Sequence, residues 1–302
     1  MSLRPVVETR AAMPAVEGAG VHLHRAFGFR DPHELDPFLL LDDFSTDNPD
    51  DCAAGFPWHP HRGIETVTYV LAGSVAHGDS LGNSGTLGAG DVQWMTAGSG
   101  ILHQEMPAAD AAGRMHGFQL WVNLPAAQKM TAPRYQDVKA PDIPVLVDDD
   151  GTSLRVIAGR YRGHAGPVDG IAAAPQFLDI SVPPGRRKRF AIDTRRRSFA
   201  YVFAGAGRFA DAAPPRGVLL EKTLGGRELR LRDLSGRRTL VRFGAGDEVA
   251  VQAGPEGVRF LLVAGAPLQE PVAWHGPIVM NTRAELAAAF ADLRAGRFIQ
   301  ER

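Results

Sequence analysis

The sequence predicts an all-β protein, two similar jelly-roll barrels followed by a short C-terminal helix. Three observations carry that prediction. Runs rich in Val, Phe, Tyr and Leu and punctuated by Gly occupy Thr66–Leu71, Asp91–Met95, Phe118–Asn123, Phe177–Val182, Phe199–Phe203, Thr239–Phe243 and Val258–Val263, as short antiparallel strands joined by turns require. One strand-turn-strand block occurs twice. The best amphipathic helix lies at the end of the chain, where Thr282 and Glu285 have capping-box spacing ahead of Leu286, Phe290 and Leu293, and Gly296 stops it.

The repeat is explicit. Thr68-Tyr69-Val70-Leu71-Ala72-Gly73 returns as Ala200-Tyr201-Val202-Phe203-Ala204-Gly205, and Leu87-Gly88-Ala89-Gly90-Asp91 returns as Phe243-Gly244-Ala245-Gly246-Asp247. Ala97-Gly98 and Ala253-Gly254 follow at the same interval, and the second copy carries a longer insert, Ala206 to Arg238. The period is far too long for stacked solenoid repeats, so two copies mean two β domains. Residues 1–130 are expected to form the first barrel, 131–150 a linker marked by Pro133, Pro141 and Pro144, and 151–302 the second barrel with the helix.

Bulk properties agree. A chain of 302 residues with 44% apolar residues can fill two cores. Lys+Arg 33 against Asp+Glu 34 is a near-neutral balance with no large single-sign excess, which argues against a dedicated nucleic-acid binder. The local exception, Arg186 to Arg189 with Arg195 to Arg197, is expected to be a solvated face. Cys52 is the only cysteine, which rules out an intrachain disulfide. Neither an apolar leader nor a membrane-length apolar run is present, so a soluble, cytoplasmic location is expected, with no nucleic-acid or membrane partner. A monomer is expected.

Chemistry concentrates in the first copy. His59-Pro60-His61 precedes the strand carrying Glu65, and His103-Gln104-Glu105 follows the second strand block. Residues two apart in an extended segment project to one face, so each pair points together, and two such segments side by side would converge four ligands on one metal ion. Glu65 shares the parity of His59 and His61 and competes with Glu105 for the fourth position. The second copy has Ala191, Asp193 and Arg197 where the first has His59, His61 and Glu65, so a metal-free second barrel is expected. His22-Leu23-His24 has no second pair or carboxylate in the strand pattern and is expected to be structural.

Three stretches carry a specific resemblance: Asp36 to Phe44 (DPFLLLDDF), Phe56 to Val67 (FPWHPHRGIETV) and Gln93 to Pro107 (QWMTAGSGILHQEMP). With Glu270-Pro271-Val272 and Gly276 to Thr282 (GPIVMNT) they resemble the pirin family of bicupins, and the likeness spans nearly the whole chain. The resemblance implies two cupin-type barrels, with His59, His61, His103 and Glu105 as ligands and Glu65 in a supporting role. It also implies one transition-metal ion, Fe(II) as the expected one; Mn, Co, Ni, Cu or Zn would also fit this donor set. Bacterial pirins are similar to flavonol dioxygenases of the quercetin 2,3- or 2,4-type, which open the flavonol's central ring and release carbon monoxide. By that likeness the substrates are a phenolic molecule and O₂, and Glu105 is both ligand and catalytic base. Eukaryotic pirins resemble redox-sensing regulators, which makes an iron-binding protein with a protein partner the alternative. Phe56, Trp58, Trp94, Met95, Met106 and Phe118 are candidate pocket walls.

Overall fold

The structure, a computed structural model, describes residues 2–209 and 234–300. Most of the insert expected over Ala206 to Arg238 lies outside the described residues. The chain opens with β1 (Val6–Ala11), β2 (Met13–Glu17), β3 (Val21–Phe27), β4 (Phe38–Asp43), β5 (Phe56–His61) and β6 (Ile64–Ala72). It continues through β7 (Ser74–Asp79), β8 (Ser84–Leu87), β9 (Val92–Thr96), β10 (Ile101–Ala108), β11 (His116–Asn123) and β12 (Arg134–Val138). Strands β2 to β12 form two sheets, one in the order β12-β9-β6-β11-β4-β3-β2 and one in the order β5-β10-β7-β8. Leu39, Ile64, Met95, Ile101 and Val279 fill one cluster of this unit and Val21, Leu23, Phe44, Val70 and Met115 another. Each such side chain contributes about 1.5–3 kcal/mol on burial.

The second half adds β13 (Val145–Val147), β14 (Ser153–Ala158), the short pair β15 (Arg160–Tyr161) and β16 (His164–Ala165), β17 (Gln176–Val182) and β18 (Arg187–Ala191). It then adds β19 (Arg197–Phe209), β20 (Ser235–Gly236), β21 (Thr239–Phe243) and β22 (Glu248–Gly265). Their sheet runs β1-β21-β19-β22-β17-β14-β13, with β18 on β22 and β20 on β19. The chain closes with β23 (Ala273–His275), β24 (Ile278–Met280) and α1 (Arg283–Arg294). All seven strand runs expected from sequence are strands. The helix has its capping box, Thr282 Oγ1 accepting from Glu285 N and Glu285 Oε2 from Thr282 N.

The repeat has a backbone cause. Gly73 directly follows β6 and Gly205 lies within β19, at φ +76° and +63°, and a Cβ on either would strike a backbone oxygen, of Ala108 and Gly257 respectively. Only glycine takes that conformation at low cost.

The compact units are not the contiguous segments expected. One comprises Met1–Ala11, Val145–Arg155 and Leu178–Ala264; the other comprises Ala12–Pro144, Val156–Phe177 and Gly265–Arg302. The reason lies in strand pairing. Strand β1 pairs antiparallel with β21, so the start of the chain belongs to the second sheet system. The C-terminal arm, helix included, groups with the histidine-bearing unit. The stretch expected to be a linker holds two edge strands, β12 on β9 and β13 on β14, and its prolines flank these strands without interrupting them.

Candidate metal centre

Strand β10 lies antiparallel between β5 and β7, with His103 directly opposite His59. His61 follows two residues along β5 on the same face. The result is a cluster in which one ring nitrogen from each of His59, His61 and His103 lies within 4.8 Å of the others. Ring centroids are 4.3 Å apart for His59–His103, 4.9 Å for His59–His61 and 5.0 Å for His61–His103.

Second partners set the tautomers. His59 Nδ1 donates to the Pro57 carbonyl at 2.8 Å, and His61 Nδ1 donates to the Pro277 carbonyl at 3.1 Å. Each therefore turns an unprotonated Nε2 toward the cluster, the arrangement that orients metal-binding imidazoles. His103 is 0% exposed and neither of its ring nitrogens has a hydrogen-bond partner. An orphaned buried nitrogen costs about 1–3 kcal/mol, and a cation held by the three rings would remove that cost. The residues fit a metal ion. Burial lowers the proton affinity of all three: His59 below its usual value, His61 to about 3, and His103 well below, with the neighbouring rings adding to the effect for the last two. All three stay neutral, as ligands must.

Glu105 is 5% exposed and lines a cavity of about 480 Å³ together with His59 and His61. It stands outside the three-nitrogen group itself. Burial pushes its carboxyl up to about 7, against the pull of one hydrogen bond from Thr68. Thr68 Oγ1 is 2.7 Å from Glu105 Oε1 and 2.7 Å from Gln119 Oε1. One hydroxyl proton cannot serve two acceptors, so either the Gln119 amide presents its nitrogen or Glu105 carries a proton. Deeper in the unit, His77 faces Glu105 across the β7–β10 ladder, lies 5.5 Å from His103 and stacks on Tyr135 at 5.0 Å.

Glu65 does not join this group. The turn at Arg62-Gly63 separates β5 from β6 and places them in different sheets, so the parity carried along β5 does not continue. In β6 the cavity face belongs to Thr68, and Glu65 points to the other side, accepting from Thr96 Oγ1 at 2.8 Å. Burial raises its carboxyl to about 7.

Of the six wall candidates, Phe56 and Trp58 line the cavity, whereas Trp94, Met95 and Phe118 are core and Met106 is outside the lining. Sequence reasoning missed Phe29 and Trp121, which also line it, and Arg25 with Asp42. Arg25 grips Asp42 with two hydrogen bonds of 2.8 and 2.7 Å, yet burial still lifts Asp42 to about 6. The pair is brought together by the register of β3 on β4, Arg25 opposite Asp42, which carries no local sequence signal. His22 meets Asp51 at 3.4 Å, away from the cluster. Much of the basic run is paired: Lys188 with Asp148 and Asp150, Arg189 with Glu248, and Arg195 with Asp193.

A β-barrel in which three imidazoles cluster beside a mostly apolar cavity has the arrangement of a cupin. The family model for pirin matches residues 20–122 and that for the pirin C-terminal cupin domain matches 177–299. A pirin-like protein of Caulobacter vibrioides is 43% identical over 99% of this chain and 100% of its own length. Human pirin is 40% identical over 92% of this chain and 88% of its own. The crystal structure of quercetin 2,3-dioxygenase from Acinetobacter baumannii superposes with a TM-score of 0.85 at 33% identity, covering 98% and 99% of the two chains. The chain belongs to the pirin family of bicupins.

Proposed function

We propose that the chain is a metal-dependent dioxygenase that opens the central ring of flavonols such as quercetin and releases carbon monoxide. The ligands in this reading are His59, His61, His103 and Glu105. The observation that carries it is the orphaned, fully buried His103 beside His59 and His61, two imidazoles whose tautomers are already set and which line a cavity that also presents the Glu105 carboxylate. The likeness to a quercetin 2,3-dioxygenase over nearly the whole chain supports the choice of substrate.

When bound, the ion supplies Lewis-acid and one-electron redox chemistry; Fe(II) is the expected metal. The protein supplies the rest. A cavity of about 480 Å³ is within the range that small-molecule sites occupy. Phe29, Phe56, Trp58 and Trp121 give it flat aromatic walls for a planar substrate. Glu105 removes the acidic 3-hydroxyl proton, and Thr68 holds the accepting oxygen Oε1 in place. A nearby cation draws the carboxyl's proton affinity down, so the base suits an acidic enol better than an alcohol.

The test is quercetin turnover in air by protein reloaded separately with Fe(II), Mn(II), Co(II), Ni(II) and Cu(II), with loss of flavonol absorbance and carbon monoxide release followed together. Metal-dependent release that disappears in Glu105→Ala is the expected result. Absence of carbon monoxide with every metal, from protein whose site is filled, would overturn the reading.

A further inference from the structure

The residue after His61 is one of the largest fully buried side chains among the described residues. Arg62 is 2% exposed, and a guanidinium taken out of water costs several kcal/mol unless its hydrogen-bonding geometry is used. Here it is used on one segment. Nη1 donates to Asp292 Oδ2 at 2.9 Å, near the end of α1, and Nη2 donates to the Phe298 carbonyl at 2.9 Å. The same guanidinium lies 4.2 Å over the Phe298 ring. A rigid, planar fork reaches two partners and a ring at once, which a lysine ammonium does not.

The backbone beside it is tied to the same arm. Val279 N donates to the Arg62 carbonyl at 3.1 Å, in a parallel bridge that sets Arg62 against Ile278. The Pro277 carbonyl is the acceptor that sets the His61 tautomer. At Gly63, φ +79°, a Cβ would collide with the Val279 carbonyl oxygen, so arm and turn approach too closely for any side chain. Lys129 Nζ closes the other side of that turn, donating to the Gly63 carbonyl at 2.7 Å. Helix α1 has only 12 residues, a length that is marginal alone in water. It is held by the packing of Ala289 with Ile278, Met280 and Phe298, and by the Arg62 contact.

We propose that the C-terminal arm, residues 276–298, is an outer shell of the metal centre, with Arg62 and Asp292 as positioning residues that hold His61 through the Pro277 carbonyl. This rests on an ion binding at the three imidazoles. Losing such an outer partner typically weakens metal binding 10–100-fold. Coupling is reciprocal, so an arm that tightens the site is itself tightened by the ion.

The first test uses the unaltered protein, by amide hydrogen exchange with and without Co(II). Exchange is expected to slow at residues 59–61 and 101–105 and equally at 277–280 and 290–298. Slowing confined to the two histidine strands would overturn the role of the arm. Slowing nowhere would remove the metal reading beneath it, and the inference with it. The second test compares Asp292→Asn and Arg62→Lys with Arg294→Ala, an exposed position on the same helix. The first two should release Co(II) to a chelator about 10-fold faster, with shifted ligand-field bands, and the third should match the unaltered protein. Unchanged bands and release in folded Asp292→Asn would also overturn the proposal. If that variant does not fold, the exchange experiment decides alone.

Discussion

His103 is a buried polar side chain that costs local stability unless a metal ion uses it. Its ring is fully buried with no partner for either nitrogen, an arrangement worth about 1–3 kcal/mol of lost stability in the metal-free chain. His103→Leu should therefore melt at or above the temperature of the unaltered protein when both are metal-free. Metal should raise the melting temperature of the unaltered protein only, by the equivalent of about 2.7 kcal/mol at a hundred times the dissociation constant. Thermal scans with and without Fe(II) under anaerobic conditions check both halves; a large loss in the metal-free variant would mean the ring is structural. In the proposed reaction Glu105 is the base, and Glu105→Gln keeps the shape while removing that base. Flavonol turnover should fall roughly 10²- to 10⁴-fold, measured at saturating metal so that weaker binding of the ion does not mimic lost chemistry. The three imidazoles were legible because alternation along β5 and β10 survives folding: His103 and Glu105 both stay buried across the register shift between them. Arg25, Asp42 and His77 were not legible, since a buried polar residue acquires its meaning from a strand far away in sequence.

Elements explain the one ambiguity that residues alone left open. Glu65 and Glu105 were equal candidates until the turn at Gly63 assigned β5 and β6 to different sheets. Parity arguments hold inside a strand and stop at its end. The consequence for Glu65 is thermodynamic. Its folded-state carboxyl titrates near 7 because of burial, above the value of about 4.3 for an unperturbed glutamate. The folded protein thus binds more protons than the unfolded one between those values, so this stability is present below about pH 4 and is lost as pH rises through 7. Glu65→Gln should flatten the fall in unfolding free energy between pH 4.5 and 7.5, by at most about 3 kcal/mol; denaturant titrations across that range with unchanged slope would contradict the assignment. Strands and helix were visible in the sequence as runs rich in Val, Phe, Tyr and Leu punctuated by Gly, and as a capping box. Strands β12 and β13 were not, because five and three residues following prolines carry too little pattern to separate from a linker.

At the scale of the molecule, chain order and contact order part company. The first strand belongs to the sheet of the second half, and the last 38 residues, Gly265–Arg302, belong with the first. Internal repeats revealed two barrels, but no local signal says which sheet edge a terminal segment will cover, since both edges offer the same backbone donors and acceptors. Removing residues 2–11 uncovers β21, whose partner along that edge is β1. That deletion should lower the melting temperature of the sheet it belongs to while leaving metal binding at the histidine cluster intact, which calorimetry and metal analysis together would check. Among the described residues no helix is long and apolar enough to cross a membrane.

In the proposed site one ion binds the His59, His61 and His103 nitrogens. The most direct measurement is the metal content, by elemental analysis, of protein equilibrated with Fe(II) without oxygen and then desalted, alongside His103→Leu. About one equivalent per chain is expected for the unaltered protein and almost none for the variant. An ion retained by His103→Leu, or no ion in either protein, would contradict it.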